Sequence, residues 1–395
     1  MWVVKMQILP DVNVATGFYT NWDSLIRVDD KVLSWVKNHV KVMPKPEKVF
    51  LESLEEVAYT LNEAFRVGGR EFLISENVYK KLNQLFSFRE KRLGGNGFNM
   101  GRALHELGLT PLISYPFRPP SIMLNSPDVK VACKDGFKTP KQAIRYGDPE
   151  YDHLIFEFSE DKSRGINTSG RHILSWDLMS FHGIFDEDFF LYAFNRKYTE
   201  ILVFAYAHLL LPAYKKKTNE IADWLEEAKR PKVHFELGQG SEESVRYALK
   251  VFTDKQCVDS IGLNEKECMQ YFGAKDESLK ELNYSVVEAV KKLGVSRICV
   301  HTSTFAFSVS KFPLEREIEA LSKASLTAAA LTMGGIKENI NKAKNLPSSN
   351  VKVEKGKVGE KYNYCLIPVY INPKPRILTG LGDAFSAVQA VISLA

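Results

Sequence analysis

Cysteine is sparse in this chain and never paired. Cys133, Cys257, Cys268, Cys299 and Cys365 lie far apart, with no Cys-x-x-Cys and no His/Cys spacing of the zinc type. That excludes a disulfide framework and a zinc knuckle, and reads as reduced, buried thiols of a cytoplasmic protein. Long apolar runs are absent. The stretch 204–211 is apolar but far short of the ~20 residues that span a bilayer, so it reads as a core helix or strand. Residues 1–10 hold a strand-like apolar run without the layout of a signal peptide. No membrane partner is expected. A strong excess of one charge is missing as well: 53 basic residues against 48 acidic ones leave +5, mixed along the chain. This balance suits an anionic small molecule and gives no sign of a nucleic-acid partner. The one basic run, Lys215-Lys216-Lys217, reads as capping or following a helix.

Several catalytic signatures are also lacking. No segment reads G-x-x-x-x-G-K-[ST], which disfavours a P-loop kinase. Neither G-x-S-x-G nor H-E-x-x-H occurs, and no early G-x-G-x-x-G follows a strand. Internal repeats and low-complexity tracts are absent.

What is present is 395 residues with 45% hydrophobic and 26% charged residues, enough for a large core and more than one folding unit. Strand patterns at 201–205, 232–237, 297–300 and 365–369 alternate with helical patterns at 219–228, 241–252, 264–271, 279–293 and 314–333. The fold class is therefore α/β: a large domain with a doubly wound central sheet and helices on both faces, plus a smaller α/β domain. The expected boundaries are 1–23, 93–114 and 166–395 for the large domain, and 24–92 and 115–165 for the small one. Pro111, Pro116, Pro119, Pro120, Pro127, Pro140 and Pro149 crowd the second of those small-domain segments, with short strands at 129–133 and 153–158. The polar stretch 347–362, with Gly356 and Gly359, reads as a mobile loop.

The chemistry gathers in short motifs. Leu378-Thr379-Gly380-Leu381-Gly382-Asp383-Ala384-Phe385 reads as a strand end, a glycine turn and a helix start. Glycine lets backbone N–H groups approach an anion, and the helix start favours negative charge, so a carboxylate there sits beside a phosphate cradle. Thr20-Asn21-Trp22-Asp23 follows a short strand; Asp23 either binds sugar hydroxyls or forms an Asx turn. Gly94-Gly95-Asn96-Gly97 precedes a helix, as a ligand loop or a helix cap. His234-Phe235-Glu236-Leu237 ends a strand with a carboxylate that suits a hydrated magnesium ion. Asn264 and Glu267, three apart, form either a second oxygen pair for that ion or a capping box. His301-Thr302 closes a strand, against a nucleotide or as a structural end.

In this order, the motifs resemble the ADP-dependent glucokinase and phosphofructokinase family of the ribokinase-like superfamily. The resemblance spans nearly the whole chain: Thr20-Asn21-x-Asp23, Gly94-Gly95-Asn96-Gly97, His234-Phe235-Glu236-Leu237, Asp259-Ser260-x-Gly262-Leu263-Asn264-Glu265-x-Glu267, Val300-His301-Thr302 and Gly380-x-Gly382-Asp383. It implies a ribokinase-like large domain with a lid closing over a sugar, and ADP with Mg²⁺ as the phosphoryl source. It implies Asp383 as catalytic base, Gly380, Leu381 and Gly382 as an anion hole, and Glu236 and Glu267 as metal-linked carboxylates. Asn264, His301 and Thr302 would meet the nucleotide. Asn21, Asp23, Glu71, Gly95 and Asn96 would contact the sugar. The chain departs from the pattern at Trp22, Ser24 and Gly238-Gln239, and looks shorter than typical members.

The resemblance implies attack of a sugar hydroxyl on the β-phosphorus of ADP, leaving AMP. For the acceptor, a phosphate needs cations, and Arg164 and Arg171 flank a polar stretch that is either a phosphosugar contact or a solvated loop. Ribose 1-phosphate and fructose 6-phosphate rank level, ahead of glucose. An ATP-dependent ribokinase-like kinase of a nucleoside or vitamin, and a non-catalytic sugar-binding protein, are the competing classes.

Overall fold

The computed structural model describes residues 8–40, 50–86, 90–176, 178–205, 207–211, 213–227, 229–238 and 240–395. It divides into two compact units: Met1–Thr20, Gly95–Tyr146 and Phe185–Ala395 form the first, Asn21–Gly94 and Gly147–Ile184 the second. The expected small-domain segment 115–165 is thus cut at Tyr146. Its first part carries the hairpin Val131–Cys133/Gly136–Lys138, bridged to the first unit through Leu112 and Lys130. Conversely, 166–184 belongs to the second unit, because Gly170–Ser175 pairs with Asp152–Phe158.

The first unit is built on a nine-stranded sheet. Its order is Glu354–Val358, Tyr362–Pro368, Phe305–Ser310, Arg297–His301, Ser260–Asn264, Lys232–Glu236, Ile201–Phe204, Val14–Gly17, Leu112–Ile113. From Arg297–His301 to Leu112–Ile113 every pairing is parallel, as alternating strands and helices require. The remaining three strands are antiparallel, so the strict strand–helix alternation stops at His301. One face packs Ile201, Val203, Cys299, Ala306, Cys365 and Ile367 against Met100 and Leu104, Ala320 to Ala324, and Phe385 to Leu394. On the other face Phe204 stacks on Phe235, and Phe252 meets both rings edge to face. Both faces are covered, and the strands accordingly read as continuous apolar runs.

Four local expectations change. Lys215, Lys216 and Lys217 lie in the first turn of the helix Tyr214–Glu227 rather than following a helix, with Lys217 bonded to Glu220 at 2.7 Å; Ala228 lies outside the described residues. The polar stretch 347–362 contains the edge strand Glu354–Val358, folded onto Tyr362–Pro368 through a turn at Gly359. Its exposed lysines blunt a free sheet edge, which explains why a strand looks like a loop in sequence. No strand precedes Gly380; the chain reaches it as an irregular connection from Val369. Asn21 and Asp23 do follow a short strand, Val14–Gly17, but they are not its polar end: they begin a new strand, Asn21–Arg27, in the second unit. The apolar run at the N-terminus falls largely on residues 1–7, outside the described residues.

The second unit has a six-stranded sheet: Phe50–Leu51, Glu71–Ile74, Gly170–Ser175, Asp152–Phe158, Asn21–Arg27, Glu90–Gly94. Alternate residues Ile26, Leu154, Phe156, Leu174 and Ile74 pack on the helices Asp30–His39, Leu54–Val67 and Glu76–Leu85. Ser53 and Glu56 close a reciprocal capping box at the start of the middle helix. Ser24 donates to Asp152, which also accepts from Tyr79, so the unexpected serine beside Asp23 has a structural partner.

His172 is fully enclosed in this unit, with Nε2 3.2 Å from the Thr60 hydroxyl, and burial lowers its pKa to about 3. The unfolded chain takes up the proton near the ordinary histidine value of 6.5 while the fold refuses it. Stability is therefore complete above that pH and is lost as pH falls from 6.5 toward 3. His172→Gln should flatten this part of the denaturant-midpoint profile. An unchanged loss between pH 7 and 4 would rule out His172 as its source.

Candidate active site

Three neighbouring parallel strands end in polar residues: Glu236, Asn264 and His301. Their carboxyl ends are where α/β sheets place ligands. Asn264 pairs in register with His301, and Glu236 lies opposite Gly262. A Cβ at Gly262 would overlap the Glu236 carboxylate and the His234 ring, so glycine there makes room for the acid.

Glu236 is held on both oxygens. His301 Nε2 is 2.9 Å from Oε1 and His234 Nε2 is 3.3 Å from Oε2. Burial would raise its pKa, but these bonds outweigh it and hold the carboxyl at about 2. Glu267 behaves oppositely: burial, then the Glu236 charge, push it up to about 8. Asn264 and Glu267 do form the capping box, with Asn264 N–H donating to Glu267 Oε2 at 2.9 Å and Glu267 N–H to Asn264 Oδ1 at 2.9 Å. Thr302 Oγ1 accepts from the N–H groups of Thr304 and Phe305, which fixes the turn after His301.

The helix Leu381–Leu394 runs through the centre of this unit, buried on all sides from Ala384 to Leu394. A helix enclosed all round is a core helix, even with Ser386, Gln389 and Ser393 among its buried residues. Its N-cap is Gly380, at φ +72°, and no side chain caps the first turn. Asn99 presses against Gly380, and its Nδ2 donates to Asp383 Oδ2 at 3.0 Å. Asn99 stands in the first turn of Asn96–Glu106, a second helix with a glycine N-cap, Gly95, and no capping side chain. The Asn96 side chain accepts from Gly97 N–H at 2.7 Å. The His301 ring lies beside Gly382 and packs on Phe385 with centroids 5.3 Å apart. Asp383, Gly380, Leu381, Gly382, Gly95, Asn96, His301, Thr302, Asn264, Glu236 and Glu267 thus all belong to the first unit. Gln239 lies outside the described residues.

The expected sugar contacts Asn21, Asp23, Glu71 and Arg171 belong to the second unit, on the sheet. Register puts Arg92, Asp23, His153 and Ser175 side by side, with Arg171, Glu157 and Glu71 on the same face, away from the three helices. Asn21 Nδ2 donates to Asp23 Oδ1 at 2.9 Å, and Ser175 Oγ donates to Glu71 Oε1 at 3.0 Å. Burial raises the Asp23 pKa, opposed by His153, Arg92 and Arg171. Arg171 is exposed and makes no salt bridge among the described residues. Arg164 does not join this face; it sits on a 3₁₀ turn and pairs with Asp30 at a helix start. Asn99, Ser175, Arg92 and His153 escaped sequence reasoning. Asn99, three residues after Asn96, was the most legible of them, being on the helix the glycine motif opens.

The sequence matches the model of the ADP-specific phosphofructokinase/glucokinase conserved region over residues 12–392. This chain belongs to that family. Within it, the chain is 23% identical to an ADP-specific phosphofructokinase of Pyrococcus abyssi, across 97% of each. A segment covering 39% of the chain is 28% identical to 40% of an ADP-dependent glucose/glucosamine kinase of Pyrococcus furiosus. Its fold matches a crystal structure of a hypothetical ADP-dependent phosphofructokinase from Pyrococcus horikoshii OT3, with TM-score 0.76, 18% identity and 98% of both chains covered. It also matches an ADP-dependent kinase in complex with fructose 6-phosphate and ADPβS, with TM-score 0.80, 16% identity, 99% of this chain and 95% of that one. The family's fold is therefore the fold described here.

The donor chemistry suits magnesium in one form. Among the described residues no three His, Cys, Asp or Glu side chains are placed to ligate a metal together. Two carboxylates whose charges oppose each other nonetheless favour a cation near them. That fits an ion that keeps its waters and takes other ligands from phosphate oxygens. No helix of the described residues is long and apolar enough to cross a membrane.

Proposed function

We propose that this family member is an ADP-dependent kinase, moving the β-phosphoryl group of ADP to a hydroxyl of a sugar phosphate and releasing AMP. The supporting observation is the start of the Leu381–Leu394 helix. There a carboxylate is anchored by Asn99, the first turn is uncapped, and His301 links it to the Glu236 strand end. Asp383 takes the proton as the acceptor oxygen bonds to the β-phosphorus and the bond to the AMP oxygen breaks. The N–H groups of Leu381, Gly382 and Asp383 face the charge on the transferring oxygens, and positioning contributes the rest. Glu236 and Glu267 would hold a magnesium ion through water; when bound it would neutralise diphosphate charge. His301, Thr302 and Asn264 line the nucleotide side, with Thr302 acting by shaping the turn.

Acceptor recognition falls, in this proposal, to the helix-free sheet face of the second unit, through Asn21, Asp23, Glu71 and Arg171. The exposed guanidinium of Arg171, without an acid salt-bridged to it among the described residues, supports a phosphorylated acceptor. Ribose 1-phosphate and fructose 6-phosphate remain level ahead of glucose. The five free cysteines, all buried, agree with a reducing cytoplasm.

The deciding experiment offers ADP and Mg²⁺ with glucose, fructose 6-phosphate or ribose 1-phosphate, reading AMP, with ATP in parallel, reading ADP. AMP formed only with a phosphosugar supports the proposal. Turnover with ATP but not ADP, or with no acceptor at all, overturns it. Arg171→Ala should raise the phosphosugar KM about 10- to 100-fold, the value of a charged hydrogen bond, and leave a neutral sugar nearly unaffected. Equal effects on both would remove Arg171 from phosphate recognition.

A further inference from the structure

We propose that Ser260 and Arg297 are positioning residues for Glu236, acting through the tautomer of His234. The role in turnover rests on the kinase reading above; the tautomer itself does not.

The arrangement is a line of buried polar groups leading to the strand end. Arg297 is fully buried; its Nε donates to Glu317 Oε2 at 2.8 Å, and the Ser308 hydroxyl donates to the same oxygen. Arg297 Nη1 donates to Ser260 Oγ at 3.3 Å. Ser260 Oγ is 2.9 Å from His234 Nδ1, and His234 Nε2 is 3.3 Å from Glu236 Oε2. The other Glu236 oxygen is taken by His301.

The ends of the line set its direction. A guanidinium only donates, so Ser260 accepts from Arg297, which leaves its own proton free to point to His234 Nδ1. The neutral ring then keeps its proton on Nε2, facing the Glu236 carboxylate. The reverse tautomer would set a nitrogen lone pair against a carboxylate oxygen inside the protein, an unmade bond that costs more than the bond is worth. Gln389 as placed sets its Nε2, which only donates, 3.2 Å from the same His234 nitrogen, while its Oε1 has no hydrogen-bond partner among the described residues, so this tautomer requires the amide to be reversed. Turning the amide over presents that oxygen to the His234 N–H. Glu236 thus receives one donor on each oxygen and is held in a single orientation.

The test begins with ¹⁵N-histidine NMR of the full-length protein. His234 should show a pyrrole-type Nε2 and a pyridine-type Nδ1. In Ser260→Ala the ring resonances should shift toward averaged tautomers, and kcat should fall about tenfold, the lower end for supporting residues of this kind, with acceptor KM unchanged. Ser260→Thr, which keeps the hydroxyl, should restore both. A wild-type ring protonated on Nδ1 overturns the proposal. So does a Ser260→Ala enzyme with the wild-type tautomer or the wild-type kcat. If the wild type turns over no acceptor, the kinase reading fails while the tautomer measurement still stands.

Discussion

Asp383→Ala is expected to lower kcat by about 10²–10⁴-fold, the range of a positioned general base, while ADP still binds. The carboxylate lies at a bare helix N-terminus, and one oxygen is held at 3.0 Å by Asn99 from another helix. Such anchoring keeps a base in attacking geometry but contributes nothing to holding the diphosphate. Removing the acid also removes a negative charge from a place meant for phosphate oxygens, so ADP affinity should hold or rise. Calorimetric titration with ADP beside single-turnover AMP release separates the two effects. Near-normal turnover in the variant would end the assignment of Asp383 as base; loss of both ADP binding and fold would point to a structural carboxylate instead.

Glu317→Ala is expected to destabilise the first unit by about 3–5 kcal/mol, the cost of stranding one member of a buried ion pair. Glu317 and Arg297 have side chains 1% and 0% exposed, bonded at 2.8 Å. Arg297 Nη2 and Glu317 Oε1 find no partner among the described residues, so the pair is already incompletely satisfied. Deleting the acid leaves a guanidinium that cannot shed its proton amid Cys299 and Ser260. Replacing both partners with Met and Leu should recover most of the loss, because well-packed apolar groups need no compensating charge. With two units, the reading should come from hydrogen exchange on the Arg297–His301 and Phe305–Ser310 strands rather than from one melting temperature. A change below about 1 kcal/mol in the single variant would contradict this account.

Much of the first unit was legible because its signals are local. Strands expected at 201–205, 232–237 and 297–300 appear as Ile201–Phe204, Lys232–Glu236 and Arg297–His301. Helices at 279–293 and 314–333 appear as Leu279–Leu293 and Leu314–Thr332. Parallel strands between helices leave long apolar runs that periodicity detects. The edge strand Glu354–Val358 was missed because an exposed edge is written in charge and glycine. The strand start at Asn21 was missed because nothing local tells a chain leaving one sheet from a chain entering another. Arg164 was grouped with Arg171 by closeness in sequence; the turn at Gly165 sends it to Asp30 instead.

Residue types and short spacings alone determined the α/β class, the motifs of the family, and the bare glycine cap before Asp383, because caps, turns and apolar periods act within a few positions. Tertiary structure decided what those motifs touch. Asn99 reaches Asp383 across 284 positions, and Glu236 joins His301 across 65. Arg92 comes beside Asp23 through strand register. Pairings of that reach are set by how strands order in a sheet and how a buried helix threads beneath them, and such contacts leave no mark on neighbouring residues.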